Sequence, residues 1–151
     1  MRGLLAVIVI AAFVSSGATA FGAPHAQCTP TPDDSFGRDP GSVSLRAKIG
    51  SGHVLNGVVL SPSCTPIAHA TVTFWQSNAK GVYTASGRGA VVTDGSGRFR
   101  FEGPMPVAYD GRPAHIHLKV VARDYQTLYT EYLPHGERTG SVRLVLVPAA
   151  L

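Results

Sequence analysis

Hydrophobic and polar residues alternate along most of this chain in short runs, broken at intervals by glycine, proline or Asp-Gly turns. Val43, Leu45, Ala47 and Ile49 alternate with Ser44, Arg46 and Lys48, which predicts a half-buried strand. His53 to Leu60 follows the Gly50-Ser51-Gly52 turn as a second strand, with Gly57 inside it. After a loop from Ser61 to Pro66, Ala70 to Gln76 reads as a third, with Val72 and Phe74 on one face and Thr71, Thr73 and Trp75 on the other. Val82 to Thr84 and Ala90 to Thr93 read as short strands on either side of a Gly-rich loop, Ser86 to Gly89. Asp94-Gly95-Ser96-Gly97 predicts a hairpin turn into Arg98 to Glu102, with Phe99 and Phe101 inward. The run after His115, then Gln126 to Leu133 and Val142 to Val147, complete the pattern. Eight or nine short strands without helical periodicity predict an all-β fold, an antiparallel β-sandwich.

Composition narrows this to one domain. The 151 residues are 44% apolar and only 15% charged, too apolar for a disordered chain. Residues 1–20 have the anatomy of a secretory leader: Arg2, an apolar core from Leu4 to Val14, and the small-residue site Ala18-Thr19-Ala20. The core is too short to span a bilayer. The predicted organisation is therefore a signal peptide (1–20), an irregular Pro-rich arm (21–42) and the sandwich domain (43–151). The expected product is soluble, secreted or periplasmic, and free of the membrane once the leader is removed. Lys and Arg are scattered and the net charge is only +4, which excludes a nucleic-acid partner. Cys28 and Cys64 are expected to pair in an oxidising compartment rather than remain as two free thiols.

The candidate chemistry lies in Tyr109-Asp110-Gly111-Arg112-Pro113-Ala114-His115-Ile116-His117. Residues two apart in a strand share a face, so His115 and His117 can reach one metal ion while Ile116, Leu118, Val120 and Ala122 face a core. Taken alone the pair is weak, since six histidines give a chance His-x-His about a quarter of the time. The competing reading is two ordinary strand histidines. Arg112 projects beside the site, and Tyr109 can fold back toward it across the Gly111 turn. Tyr83 follows a Gly-containing turn, outside any core-facing alternation. A lone tyrosine is more often half-buried with its hydroxyl at the surface. Two phenolates and two imidazoles together, however, make a hard anionic site suited to Fe(III).

At these residues the chain resembles the intradiol ring-cleavage dioxygenases, non-haem Fe(III) enzymes that open catechols, in their short secreted form. Arg112-Pro113-Ala114-His115-Ile116-His117 is similar to the family's signature strand. The likeness runs back through Pro66-Ile67, Ala70-Thr71-Val72, Trp75, Gly81-Val82-Tyr83, Arg88-Gly89 and Asp94-Gly95-Ser96-Gly97-Arg98-Phe99. The resemblance implies a β-sandwich, with Tyr83, Tyr109, His115 and His117 as iron ligands and Arg112 as the stabiliser of substrate charge. It implies an aromatic diol and O₂ as the reacting partners, with a muconate-type diacid as product. Glu131 stands where many members have glutamine and adds a negative charge near the site. A non-catalytic transthyretin-like binding module shares the Gly-x-Val and Asp-Gly-x-Gly-x-Phe patterns, and only the four ligands and Arg112 separate the two readings. Neither the particular catechol nor the oligomeric state is legible in the sequence.

Overall fold

Seven strands form in the computed structural model, which describes residues 26–34 and 39–150. The predicted leader lies outside the described residues. The strands are β1 (His53–Leu60), β2 (Thr71–Ser77), β3 (Tyr83–Val92), β4 (Arg98–Gly103), β5 (Ile116–Val121), β6 (Leu128–Tyr132) and β7 (Thr139–Val145). They make a three-stranded sheet in the order β4-β1-β7 and a four-stranded sheet in the order β3-β2-β5-β6. No helix among the described residues is long and apolar enough to cross a membrane.

The all-β sandwich follows from period-two alternation. Leu55 and Val59 on β1, Phe99 and Phe101 on β4 and Leu144 on β7 are buried. They belong to one core with Val72 and Phe74 on β2 and Ile116, Leu118 and Val120 on β5. The Phe74 and Phe101 rings lie with centroids 3.7 Å apart. Each such side chain contributes roughly 1.5–3 kcal/mol by leaving water. Gly57 is needed under this layer, because a Cβ there would sit 2.1 Å from the Phe99 ring.

The strand count differs from the predicted eight or nine for two physical reasons. Val43–Ile49 is no strand, and Leu45 is 68% exposed. Arg46 donates its backbone N–H to Ala90 of β3 and Ile49 donates to Glu102 of β4, so the segment straddles the edges of two different sheets. It cannot form a ladder with either. The Gly-rich stretch at 86–89, read as a loop, runs inside β3 and merges two predicted strands. Gly89 permits this, since a Cβ would lie 2.4 Å from the Arg46 carbonyl and 2.5 Å from the Phe74 ring. Two further readings change. β7 pairs parallel with β1, so the sandwich is not antiparallel throughout. The Asp94–Gly97 turn does form, with Gly97 at φ +69°, but it carries the chain from one sheet to the other instead of closing a hairpin.

The described parts of the arm wrap the sandwich. Cys28 is bonded to Cys64 as expected, and its backbone N–H reaches Pro62. Thr31 bonds Val145 on β7 and Asp34 bonds Tyr129 on β6, at the edge strands of the two sheets. On the outer face of the four-stranded sheet, the Asp39 carboxylate accepts from Lys119 Nζ at 2.8 Å and from the Tyr129 hydroxyl at 2.9 Å. Arg88 then reaches the Pro40 carbonyl. Edge strands left open would offer unpaired backbone to other chains, and the arm occupies them.

Two outcomes are expected. Replacing Cys28 and Cys64 together by alanine lowers stability by roughly 3–4 kcal/mol in the chain-entropy account, read by denaturant unfolding against the oxidised protein. An unchanged midpoint would show that the arm contributes nothing through this link. The Lys119 ammonium, the Gly41 amide and the Tyr129 hydroxyl hold the Asp39 carboxyl down to about 2. A depressed carboxyl contributes stability above its unfolded value of about 4 and loses it as pH falls toward 2. Carbon-detected NMR titration of Asp39 reads this directly, and Lys119→Met should bring the midpoint back toward the ordinary carboxyl range. The site is exposed, so the stabilisation is small and weakens with salt.

Candidate metal centre

The alternation of β5 decides where the candidate ligands go. Ile116, Leu118 and Val120 enter the core, so His115, just ahead of the strand, and His117 turn to the outer face of the four-stranded sheet. Both imidazoles are nevertheless buried. His117 is paired with Trp75 of β2 and stacks on its indole, with centroids 5.0 Å apart and planes 13° apart.

Each imidazole is fixed through one nitrogen. His115 Nδ1 lies 2.7 Å from the Pro113 carbonyl, which can only accept, so Nδ1 carries the proton. His117 Nδ1 faces Glu131 Oε1 at 3.2 Å, across the β5–β6 register that pairs these two residues. Donation to the carboxylate likewise leaves the proton on Nδ1. The Nε2 lone pairs of both rings are then available, the arrangement found where a second group orients a metal-binding histidine. Burial pushes the His117 imidazole down to about 4, against the opposing pull of Glu131, so it remains neutral at ordinary pH.

Local turns deliver the two phenols. Asn78 opens a turn in which its side-chain oxygen accepts from the backbone of Lys80 and Val82. Gly81 at φ +74° completes the turn, and Tyr83 then enters β3. Tyr109 and Arg112 are joined by a two-residue hairpin with Asp110 at φ 47° and Gly111 at φ 74°, the left-handed pair that an Asp-Gly turn favours. Directly paired residues project to one side, so Tyr109 and Arg112 point together toward the histidines. A Cβ at Gly81 would press on the Tyr109 ring at 3.1 Å, so the two turns fit against each other.

β3, the Tyr109 hairpin and the start of β5 bring four donor atoms to one point. The Tyr83 hydroxyl oxygen lies 2.5 Å from that of Tyr109, 3.2 Å from His115 Nε2 and 2.9 Å from His117 Nε2. Donors each about 2 Å from a common ion stand roughly 3 Å from one another, so the set fits a metal. Burial, and then the bond to Tyr109, push the Tyr83 phenol upward. A bound cation inverts that preference and favours the phenolate.

Glu131 also lies close: one ligand atom from each of His115, His117 and Glu131 falls within a 4.8 Å span. Two histidines and a carboxylate are the donor set of a ferrous site. The geometry separates the two sets. Glu131 meets the Nδ1 side of His117, opposite the Nε2 that faces the tyrosines, and its Oε1 also accepts from Arg112 Nη2 at 2.6 Å. Glu131 is thus a neighbour behind one candidate ligand, and the pocket facing both Nε2 atoms is lined by phenols.

All six site residues read from the sequence, Tyr83, Tyr109, Arg112, His115, His117 and Glu131, come together here. Arg112 is not aimed alone at the site, because Glu131 holds it, and its side chain is 46% exposed. Sequence reasoning missed Asn78, whose Asx turn has a local signal in Asn78-x-x-Gly81. It also missed the Asp39–Lys119–Tyr129 clamp beside the site, which joins residues far apart in the chain and has no local signal.

Residues 33–139 match the family model described as Dioxygenase. Catechol 1,2-dioxygenase 1 of Acinetobacter lwoffii is 30% identical over 112 residues, 56% of this chain and 36% of that protein. The chain spans 36–44% of the length of the first curated relatives it matches. Among solved structures, the dioxygenase domain of a dioxygenase and carbohydrate-binding fusion from Streptomyces sp. SirexAA-E superposes with a TM-score of 0.70. It is 24% identical, and the match covers 80% of this chain and 100% of that one. The intradiol ring-cleavage dioxygenase from Tetranychus urticae gives 0.71 at 18% identity, covering 82% and 97%. These two likenesses show a shared sandwich, while the family match reaches across most of the chain. On that match, this chain belongs to the intradiol ring-cleavage dioxygenase family.

Proposed function

We propose that this protein is an exported intradiol dioxygenase that inserts O₂ between the two hydroxylated carbons of a catechol-type ring. The observation that carries the reading is the convergence of Tyr109 Oη, His115 Nε2 and His117 Nε2 on the Tyr83 hydroxyl. Tyr83, Tyr109, His115 and His117 hold one non-haem ferric ion. Phenolates are hard anionic donors and favour the trivalent state. When bound, that ion withdraws electron density from the diol and makes the ring reactive toward O₂.

The chain's own residues do the rest. Tyr83, His115 and His117 stand in or directly beside strands, whereas Tyr109 stands on a two-residue hairpin. Its phenol oxygen is therefore the one best placed to turn aside and take a proton from the incoming diol. Trp75, stacked on His117, shields that imidazole from water. Arg112, on the same side of the hairpin as Tyr109, supplies positive charge where negative charge develops on the diol oxygens. The carbon–carbon bond between the hydroxylated positions breaks, both atoms of O₂ enter the product, and a muconate-type diacid results without a further reductant. The leader anatomy and the Cys28–Cys64 bond support export to an oxidising compartment.

The protein is expected to bind one ferric ion per chain and to show a red to purple charge-transfer band. His117→Ala should abolish metal binding, while Tyr109→Phe should weaken or shift the band. Metal analysis and visible spectra of the purified variants check both, and a wild-type protein that takes up no iron aerobically would sink the ligand assignment. Incubation with catechol and hydroxyquinol in air, followed by oxygen uptake and product mass, tests the reaction. Arg112→Ala should keep iron and colour but lower turnover about 10²-fold, the lower end for one electrostatic stabiliser, because Glu131 already offsets part of its charge.

A further inference from the structure

We infer that Glu131 sets the substrate charge preference of this site, making it select neutral aromatic diols over diols that carry a carboxylate. The inference rests on the dioxygenase reading above and adds to it a discriminating residue and a substrate class.

Charge placement on the outer face of the four-stranded sheet carries the argument. A carboxylate-bearing diol needs a cation that is not already neutralised, or its negative charge is left facing the protein's own anions. Arg112 is the cation beside Tyr109, and its Nη2 is held by Glu131 Oε1 at 2.6 Å. Lys119, two residues beyond His117 on the same face, gives its Nζ to the Asp39 carboxylate at 2.8 Å. Arg88 bonds the neutral Pro40 carbonyl and keeps its charge, but it stands two strands away from His117 with Trp75 between them. Glu131 also faces His117 itself, with Oε1 3.2 Å from Nδ1. The one guanidinium beside His117 is thus already matched by a carboxylate.

Glu131 holds this position through structure. It lies opposite His117 in the β5–β6 register, and its side chain is only 14% exposed. Its Oε1 serves both His117 Nδ1 and Arg112, so the carboxylate orients the imidazole and cancels the guanidinium at once. Glutamine at this position would keep an oxygen acceptor for both partners while removing the charge. Glu131→Gln thus separates the electrostatic role from the positioning role.

The test is anaerobic equilibrium binding, by calorimetry, of catechol and 3,4-dihydroxybenzoate to the iron-loaded wild type and to Glu131→Gln. The wild type should bind catechol at least tenfold more tightly than the acid. Glu131→Gln should shrink that ratio by roughly tenfold or more, the scale for one unit charge removed at moderate distance in a partly screened site, with catechol affinity little changed. The wild-type preference should also narrow as salt rises. A ratio that Glu131→Gln leaves unchanged, or a wild type that prefers the acid, overturns the inference and leaves the dioxygenase reading standing. A wild type that binds iron but neither diol overturns both. A second readout needs no iron or diol: in nitrogen-15 NMR of the metal-free full chain, His117 should carry its proton on Nδ1, keep it there in Glu131→Gln and lose that preference in Glu131→Ala. An Nε2 proton on wild-type His117 would show that the contact does not exist, and the inference would fall with it.

Discussion

Three donors, two imidazole nitrogens and a phenol oxygen, crowded around the Tyr83 hydroxyl set the terms for the rest of this structure. Lone pairs 2.5–3.2 Å apart repel unless a proton or a cation lies between them. A protein that gathers them in a buried place must hold each from behind. The chain does so with a backbone carbonyl behind His115, a carboxylate behind His117 and an Asx turn leading into Tyr83. None of these supports touches the point of convergence. Each fixes a ring or a turn whose other end does, which is how a site keeps its geometry while its donors stay available.

The sandwich is organised so that this site lies on an outer face instead of inside. β5 sends its aliphatic residues into the core and its histidines outward, so packing of Ile116, Leu118 and Val120 positions His117 to within the stiffness of a core strand. An outer face would ordinarily be wet, but the indole of Trp75, the two phenols and the arm cover it. Among the described parts of the arm, Cys28 is held by the disulfide, Asp34 bonds the β6 edge, and Asp39 and Pro40 accept from Lys119 on β5 and Arg88 on β3. Covering the sheet edges and flanking the site are therefore the work of one segment.

Much of this was legible in the sequence, and the reasons differ from place to place. The alternation after His115 announced β5, its two faces and the shared face of the histidines, because strand periodicity is a local property. Gly111 announced a turn after Tyr109, and the structure closes it as a two-residue hairpin with Asp110 and Gly111 both at positive φ. Val43–Ile49 misled because alternation records which side chains can alternate, whereas a ladder also needs a partner strand running alongside. Here Arg46 and Ile49 bond to different sheets. The glycines at 86–89 misled in the opposite sense, because Gly89 marks a close approach by Arg46 and Phe74 within a strand. The parallel pairing of β1 with β7 joins residues too far apart for any local pattern to reveal it.

Glu131 shows where sequence reading and structure meet most closely. Its position beside the site could be read from a resemblance, but the effect of its charge depends on what it touches. Directed into the substrate space, it would repel any diol that carries its own negative charge. Exposed to water, it would be screened to insignificance. The structure gives a third arrangement, in which Oε1 joins His117 Nδ1 and Arg112 Nη2. Bonding to His117 makes Glu131 part of the support for the metal-facing nitrogen, while bonding to Arg112 removes the face's most obvious anchor for an anion. A single carboxylate thereby links ligand orientation to the charge presented to a substrate, and only a replacement that keeps the oxygen acceptor while removing the charge can part the two.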